Sequence, residues 1–271
     1  MRLNRNVVNR IQKTIPVLVL LAAWIILTEY KLVRPLFLPS PKNLLDAFKM
    51  MAPQLPKAIG ISMSMILTGF LIGSVFGIVS SMVMAYSRMF LNMFGSIFDF
   101  MRPIPVFALI PMFVLWFGIG RTPQIALIAL GCSVTMGVTT TEAIRNIPNI
   151  YIEAARTLGA NRIKVFTSIV VPYIIPHIIG AIRLAAATSF GLDVAAEFMG
   201  SQTGLGYLMI VQQQYLRTSG ILVIVIIYST FAIVVDRLIA AIERRATVWT
   251  TRSGKSHALD RTYKAAGSRK A

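Results

Sequence analysis

The chain has 271 residues, of which 56% are hydrophobic and 14% charged, and its mean hydropathy is +0.70. That balance excludes an ordinary water-soluble domain and marks a membrane protein. The 27 Lys and Arg against 10 Asp and Glu give a formal charge of +17, but the bases cluster between long uncharged runs, which excludes the spread basic surface of a nucleic-acid binder. A single cysteine, Cys132, excludes a disulfide framework, and His177 and His257 are too few for a zinc centre.

In chain order, the first apolar run follows a basic start as a signal peptide does, but it lacks a small-residue cleavage site and reads as a retained span. About 20 apolar residues cross a bilayer as a helix. On that measure six transmembrane helices are expected, at about 15–33, 58–86, 103–119, 122–141, 175–198 and 218–240, in an all-α polytopic fold. Pro172 and Pro176 move the start of the fifth to 175. The segment 89–101 is apolar but short and leads to Asp99 and Arg102, so it is expected to lie at the interface.

With six spans both termini share a side. That side collects nineteen Lys and Arg against seven on the other, and the positive-inside rule makes it cytoplasmic.

The second span carries Gly69, Gly73, Gly77, Ser81 and Ala85 at intervals of four, a small-residue ridge that lets another helix approach closely. Pro103, Pro105 and Pro111 should bend or loosen the third span, either beside a pathway or simply to fit the bundle. Met63, Met65, Met82 and Met84 read as packing, Cys132 as a small apolar residue, and His177 as an interface residue.

The loop 142–172 differs from everything around it and reads as helix, turn, helix. Pro148 and Asn149 start a short helix, Gly159 offers a left-handed stop, and Asn161 caps a second helix that runs to Pro172. Two short helices at a sharp angle form a knob suited to docking a soluble partner, although an ordinary interfacial loop has the same pattern.

Glu153-Ala154-Ala155, three residues, Gly159, nine residues, Ile169 and Pro172 resemble the EAA loop of bacterial ATP-binding-cassette importer permeases. The usual Ile-x-Leu-Pro ending is Ile169-Val170-Val171-Pro172 here. The resemblance extends over nearly the whole chain. Pro35 to Pro41, Arg102-Pro103-Ile104-Pro105, Leu115 to Gly120, and Ala195-Ala196-Glu197 to Gly204-Leu205-Gly206-Tyr207 are similar to the branch that handles taurine, alkanesulfonates and nitrate, and to thiamine-precursor pyrimidine permeases.

The resemblance implies a type I importer permease fold in a bacterial inner membrane. It implies a homodimer with a second permease copy, a cytoplasmic ATPase dimer holding Mg-ATP, and an external solute-binding protein. Glu153, Ala154, Ala155, Arg156 and Gly159 would then form the coupling contact with the ATPase. The alanines allow close approach, Gly159 makes the turn, and Glu153 pairs with a partner base or caps its own helix. Arg156 and Arg162 are placed either to pair across that junction or to be solvated.

No nucleotide site is expected in this chain. Gly254-Lys255-Ser256 lacks the earlier glycine, Trp249 standing in its place, and no strand precedes it. Intramembrane charge is costly unless it meets a cavity or partner, which singles out Arg183, Asp193 and Glu197 as candidates for the translocation pathway. Asp193 and Glu197 share a helix face, with Arg183 about 15 Å away by helical rise. Glu197 is expected to anchor the loop carrying Gly204 and Gly206 more than to meet substrate. Asp193 stands where the family is commonly apolar; lining a pathway, it would disfavour an anion such as nitrate and favour a zwitterion such as taurine or an amine-bearing heterocycle. The basic tail 246–271 is expected to be disordered and drawn to anionic lipid headgroups. A secondary transporter or channel remains the alternative from another class, against which stand the lack of an internal repeat and of a chain of intramembrane ion ligands.

Overall fold

The computed structural model describes residues 5–246, with side chains from Thr14 to Glu243. The expected tail, including Gly254-Lys255-Ser256, falls outside the described residues from 247 onward. All regular structure among the described residues is helical.

In chain order the helices are α1 (Arg5–Glu29), α2 (Pro41–Met51), α3 (Leu55–Tyr86), α4 (Arg88–Met101), α5 (Ile110–Phe117), α6 (Arg121–Arg145), α7 (Asn149–Thr157), α8 (Arg162–Val165), α9 (Val171–Gly200), α10 (Leu205–Gln214) and α11 (Thr218–Ala246). A tight turn of helix, Val106–Leu109, precedes α5, and a π-helical turn, Phe166–Val170, joins α8 to α9.

The centre of the bundle is α3, α6 and α9. Gly69 lies against Ile128, Gly73 against the backbone of Ala129 and the side chain of Cys132, and Gly77 against Met136, so the ridge on α3 meets α6 with no room for a side chain. Close backbone approach replaces hydrophobic segregation as the packing device between helices in lipid, where tails are as apolar as leucine. Gly131 on α6 receives Leu192 of α9 in the same way. Around this trio α11 and α10 pack on α9, α2 on α11, and α4 and α5 on α6.

Leu55–Tyr86, Arg121–Arg145, Arg162–Met199 and Thr218–Glu243 are long and apolar enough to cross a membrane. They correspond to the second, fourth, fifth and sixth expected spans. The first appears as a shorter apolar helix, Thr14–Glu29, which ties to the following loop through Trp24 Nε1 donating to the Pro39 carbonyl at 3.1 Å.

Two expectations require correction. The third span, placed at 103–119, is no straight crossing helix. Val106–Phe117 rises only about 18 Å and is bent 84° from α4, so the two helices together make at most one broken span. Pro103 and Pro105 lie in the break itself, between α4 and Val106, where each removes a donor and fixes φ, while Pro111 sits in the first turn of α5.

The fifth span, placed at 175–198, begins thirteen residues earlier. Pro172 sits in the first turn of α9 and Pro176 is carried inside the helix, while the π turn absorbs the mismatch, so the rod runs unbroken for 38 residues from Arg162 to Met199. The second helix of the knob and the fifth span are one piece.

Candidate functional site

The knob is built at the start of that rod. Pro148, in extended backbone, leads into α7. The end of α7 is a Schellman closure: Gly159 N–H donates to the Arg156 carbonyl at 2.9 Å and Ala160 N–H to the Ala155 carbonyl at 2.9 Å. This requires Gly159 at φ +79°, a conformation glycine adopts without steric cost. Asn161 then caps α8, its Oδ1 accepting from Lys164 N–H at 2.9 Å.

Arg162 is held internally. Its Nη2 donates to the Tyr86 carbonyl at 2.8 Å and its guanidinium stands 4.8 Å from the Tyr86 ring centroid, while Phe166 meets the same ring edge-on at 5.3 Å. The knob is therefore pinned to the end of α3.

Its outer surface is apolar: Leu158 is 87% exposed, Ile150 65% and Tyr151 54%. Glu153, Ala154, Arg156 and Gly159 are also exposed, and Ala155 turns partly inward against the core. A cavity of about 710 Å³ opens between α7 and the start of α9, lined by Tyr151, Ala154, Leu158, Ile169, Tyr173 and His177. The rings of Tyr173 and His177 lie 5.7 Å apart there.

Toward the far end of the rod the polar groups point inward. Glu197 is fully buried and accepts from Ser62 Oγ at 2.7 Å, from Gly206 N–H at 2.5 Å and from Tyr207 N–H at 3.4 Å. Ser62 in turn accepts from Leu205 N–H at 2.8 Å. Between them they satisfy three of the free N–H groups that open α10. A Cβ on Gly206 would stand 2.8 Å from that of Glu197, and Gly204 is likewise pressed against its carboxylate. One carboxylate thus clasps α3, α9 and α10 together.

One turn deeper, Asp193 is also fully buried; Tyr228 Oη of α11 donates to its Oδ2 at 2.9 Å, and its Oδ1 has no hydrogen-bond partner among the described residues. Arg183 stands apart. It grips Asp236 of α11 with Nε at 2.9 Å and Nη2 at 2.8 Å, and reaches Glu243 with Nη1 at 3.1 Å, about a third exposed.

The three intramembrane charges therefore do not converge. Asp193 and Glu197 share a face and a common interior, while Arg183 staples α9 to α11 about 15 Å along the helix. Asp236, Glu243, Ser62 and Tyr228 went unremarked in the sequence. Asp236 and Glu243 lie seven apart, two helical turns on one face, which is the signal that could have found them. Nothing local distinguishes Ser62 from other small polar residues in α3.

The model of the family described as "Binding-protein-dependent transport system inner membrane component" matches residues 69–248. The taurine transport system permease protein TauC of Escherichia coli (strain K12) is 29% identical over 238 residues, covering 85% of this chain and 86% of that protein. The putative aliphatic sulfonates transport permease protein SsuC of Bacillus subtilis (strain 168) is 27% identical over 233 residues, covering 85% and 84%. Among solved structures, the inward-facing MetNI methionine ABC transporter in its native crystal form matches with a TM-score of 0.55 at 20% identity, covering 72% of this chain and 98% of that one. That likeness concerns the fold.

Proposed function

The chain belongs to the family of inner-membrane components of binding-protein-dependent transport systems, and from that premise we propose that it is the permease subunit through which an ATP-binding-cassette importer moves a small sulfonate, taurine foremost. The knob carries the reading. It presents Glu153, Ala154 and Gly159 together with an apolar surface of Ile150, Tyr151 and Leu158, and it is continuous with a membrane-crossing rod. A cytoplasmic ATPase dimer binding Mg-ATP seats against it, and closure of that pair drives the rod.

Both termini are cytoplasmic in this reading, which puts the knob on the ATPase side and the Glu197 clasp on the side where a solute-binding protein docks. Two copies of the chain enclose the pathway. Sulfonate is favoured over nitrate and over a thiamine-precursor pyrimidine because two curated relatives of similar length carry taurine and aliphatic sulfonate in their names. Glu197 is spent on holding α10 and is not free to meet solute.

The test is ATP hydrolysis in proteoliposomes that hold this chain with its ATPase and binding protein, with solutes added singly. Taurine or an alkanesulfonate should stimulate hydrolysis in wild type. Gly159→Asp should abolish the stimulation while the chain still inserts, because aspartate tolerates the left-handed backbone and no atom lies within 4 Å of the added Cβ. Stimulation by nitrate alone, or coupling intact in the variant, contradicts the reading.

A further inference from the structure

On the inner face of the knob a second cavity, of about 580 Å³, lies where α3, α4, α6 and the knob meet. Four arginines line it: Arg88 from the start of α4, Arg145 from the end of α6, and Arg156 and Arg162 from the knob. Among the described residues no acidic side chain lines it. Arg145 pairs with Asp99 outside it at 2.8 Å, and Arg162 is occupied by the Tyr86 carbonyl. The guanidinium groups of Arg88 and Arg156 make no hydrogen bond or ion pair among the described residues.

Apart from Tyr86 and Asn149 the remaining lining is apolar, with Met84, Leu91 and Phe166 among it. The cavity sits where α3 and α6 end, hence at the headgroup level of a bilayer that these helices cross. Beside it α4 turns Met89, Phe90, Met93 and Ile97 outward, an apolar face suited to lie along acyl chains. Unneutralised arginines above an apolar floor match a ligand with a phosphodiester and two hydrocarbon tails, and Arg is the side chain best shaped to hold phosphate oxygens.

We propose that this four-arginine cavity is a binding site for an anionic glycerophospholipid, whose headgroup phosphate bridges Arg88 on the α3–α4 joint to Arg156 on the knob. Basic pockets between spans at the cytoplasmic interface take such headgroups. The bound lipid braces the knob from the membrane side. The inference rests on the chain crossing a membrane and not on the ATPase assignment, so either can fail without the other.

The experiment counts retained lipids by native mass spectrometry on the full chain purified in detergent and offered equal phosphatidylglycerol and phosphatidylcholine. Wild type should retain phosphatidylglycerol preferentially. Arg88→Gln with Arg156→Gln should lower that preference by roughly thirtyfold for two cationic contacts. Arg88→Lys with Arg156→Lys should keep most of it, which separates loss of charge from loss of fold.

No preference in wild type overturns the proposal, as does full preference in the Gln pair. Displacement of the lipid by millimolar inorganic phosphate identifies a site for free phosphate and overturns the lipid assignment. Unchanged lipid retention in a Gln pair that no longer binds its ATPase assigns the arginines to a protein contact, and also overturns it.

Discussion

The knob at the start of the Arg162–Met199 rod and the acid clasp near its end use similar residues in opposite ways. At the knob Glu153 faces outward among exposed apolar side chains, and the backbone closes on itself through Gly159. At the clasp Glu197 is buried and its carboxylate accepts from Ser62, Gly206 and Tyr207. A surface left unsatisfied by its own chain is available to another; a group satisfied internally holds the frame. The difference predicts that variants of the clasp change stability, and that variants of the knob change coupling.

The largest effect should come from Glu197→Ala. It strands the Ser62 hydroxyl and the Gly206 N–H in the interior, a loss of about 3–5 kcal/mol that thermal unfolding in detergent will register. Glu197→Gln, which keeps one acceptor oxygen, should lose less. A wild-type melting temperature in Glu197→Ala would remove the clasp from the account.

Gly73→Val comes next. Its side chain must enter the space held by Ala129 and Cys132, and overpacking of this kind costs about 1–3 kcal/mol, read as a lower midpoint of unfolding. Gly60→Ala, with open space around it, is the control expected to show no loss from crowding.

Gly159→Val should cost about 1–2 kcal/mol from the left-handed backbone alone, with no steric clash. Its effect on solute-stimulated ATP hydrolysis should be out of proportion to that loss. A variant that loses stability and keeps coupling would erase the contrast between the two regions.

Arg183→Gln should also lower stability, since it removes the cation that pairs with Asp236 and Glu243 between two membrane-crossing helices. Reversing the charges in Arg183→Asp with Asp236→Arg should restore the wild-type melting temperature, measured against each single variant.

Much of this was legible in the sequence, for identifiable reasons. The small-residue ridge on α3, the helix stop at Gly159 and the cap at Asn161 are local codes, each set by residues within a few positions, and each appears where the spacing puts it. Asp193 and Glu197 share a face because helical period alone requires it. The straight third span failed because Pro103 and Pro105 interrupt the helix, and hydropathy, which counts apolar residues, is blind to backbone donors. The fifth span began earlier than expected because the π turn just before Pro172 lets the helix continue through that proline. Ser62 and Tyr228 were missed because their partners lie 135 and 35 residues away, a pairing that only the packed bundle creates.

The most direct test of the central claim, that the knob is the docking surface, is thiol-directed cross-linking from its tip. Leu158→Cys places a thiol at a position 87% exposed, and the native Cys132 is buried and will not compete. In membranes that hold the assembled transporter, Leu158→Cys should cross-link to the ATPase subunit, and Tyr215→Cys, exposed at the opposite end of the bundle, should not. Absence of the ATPase adduct from Leu158→Cys, or an equal yield from Tyr215→Cys, would contradict the account.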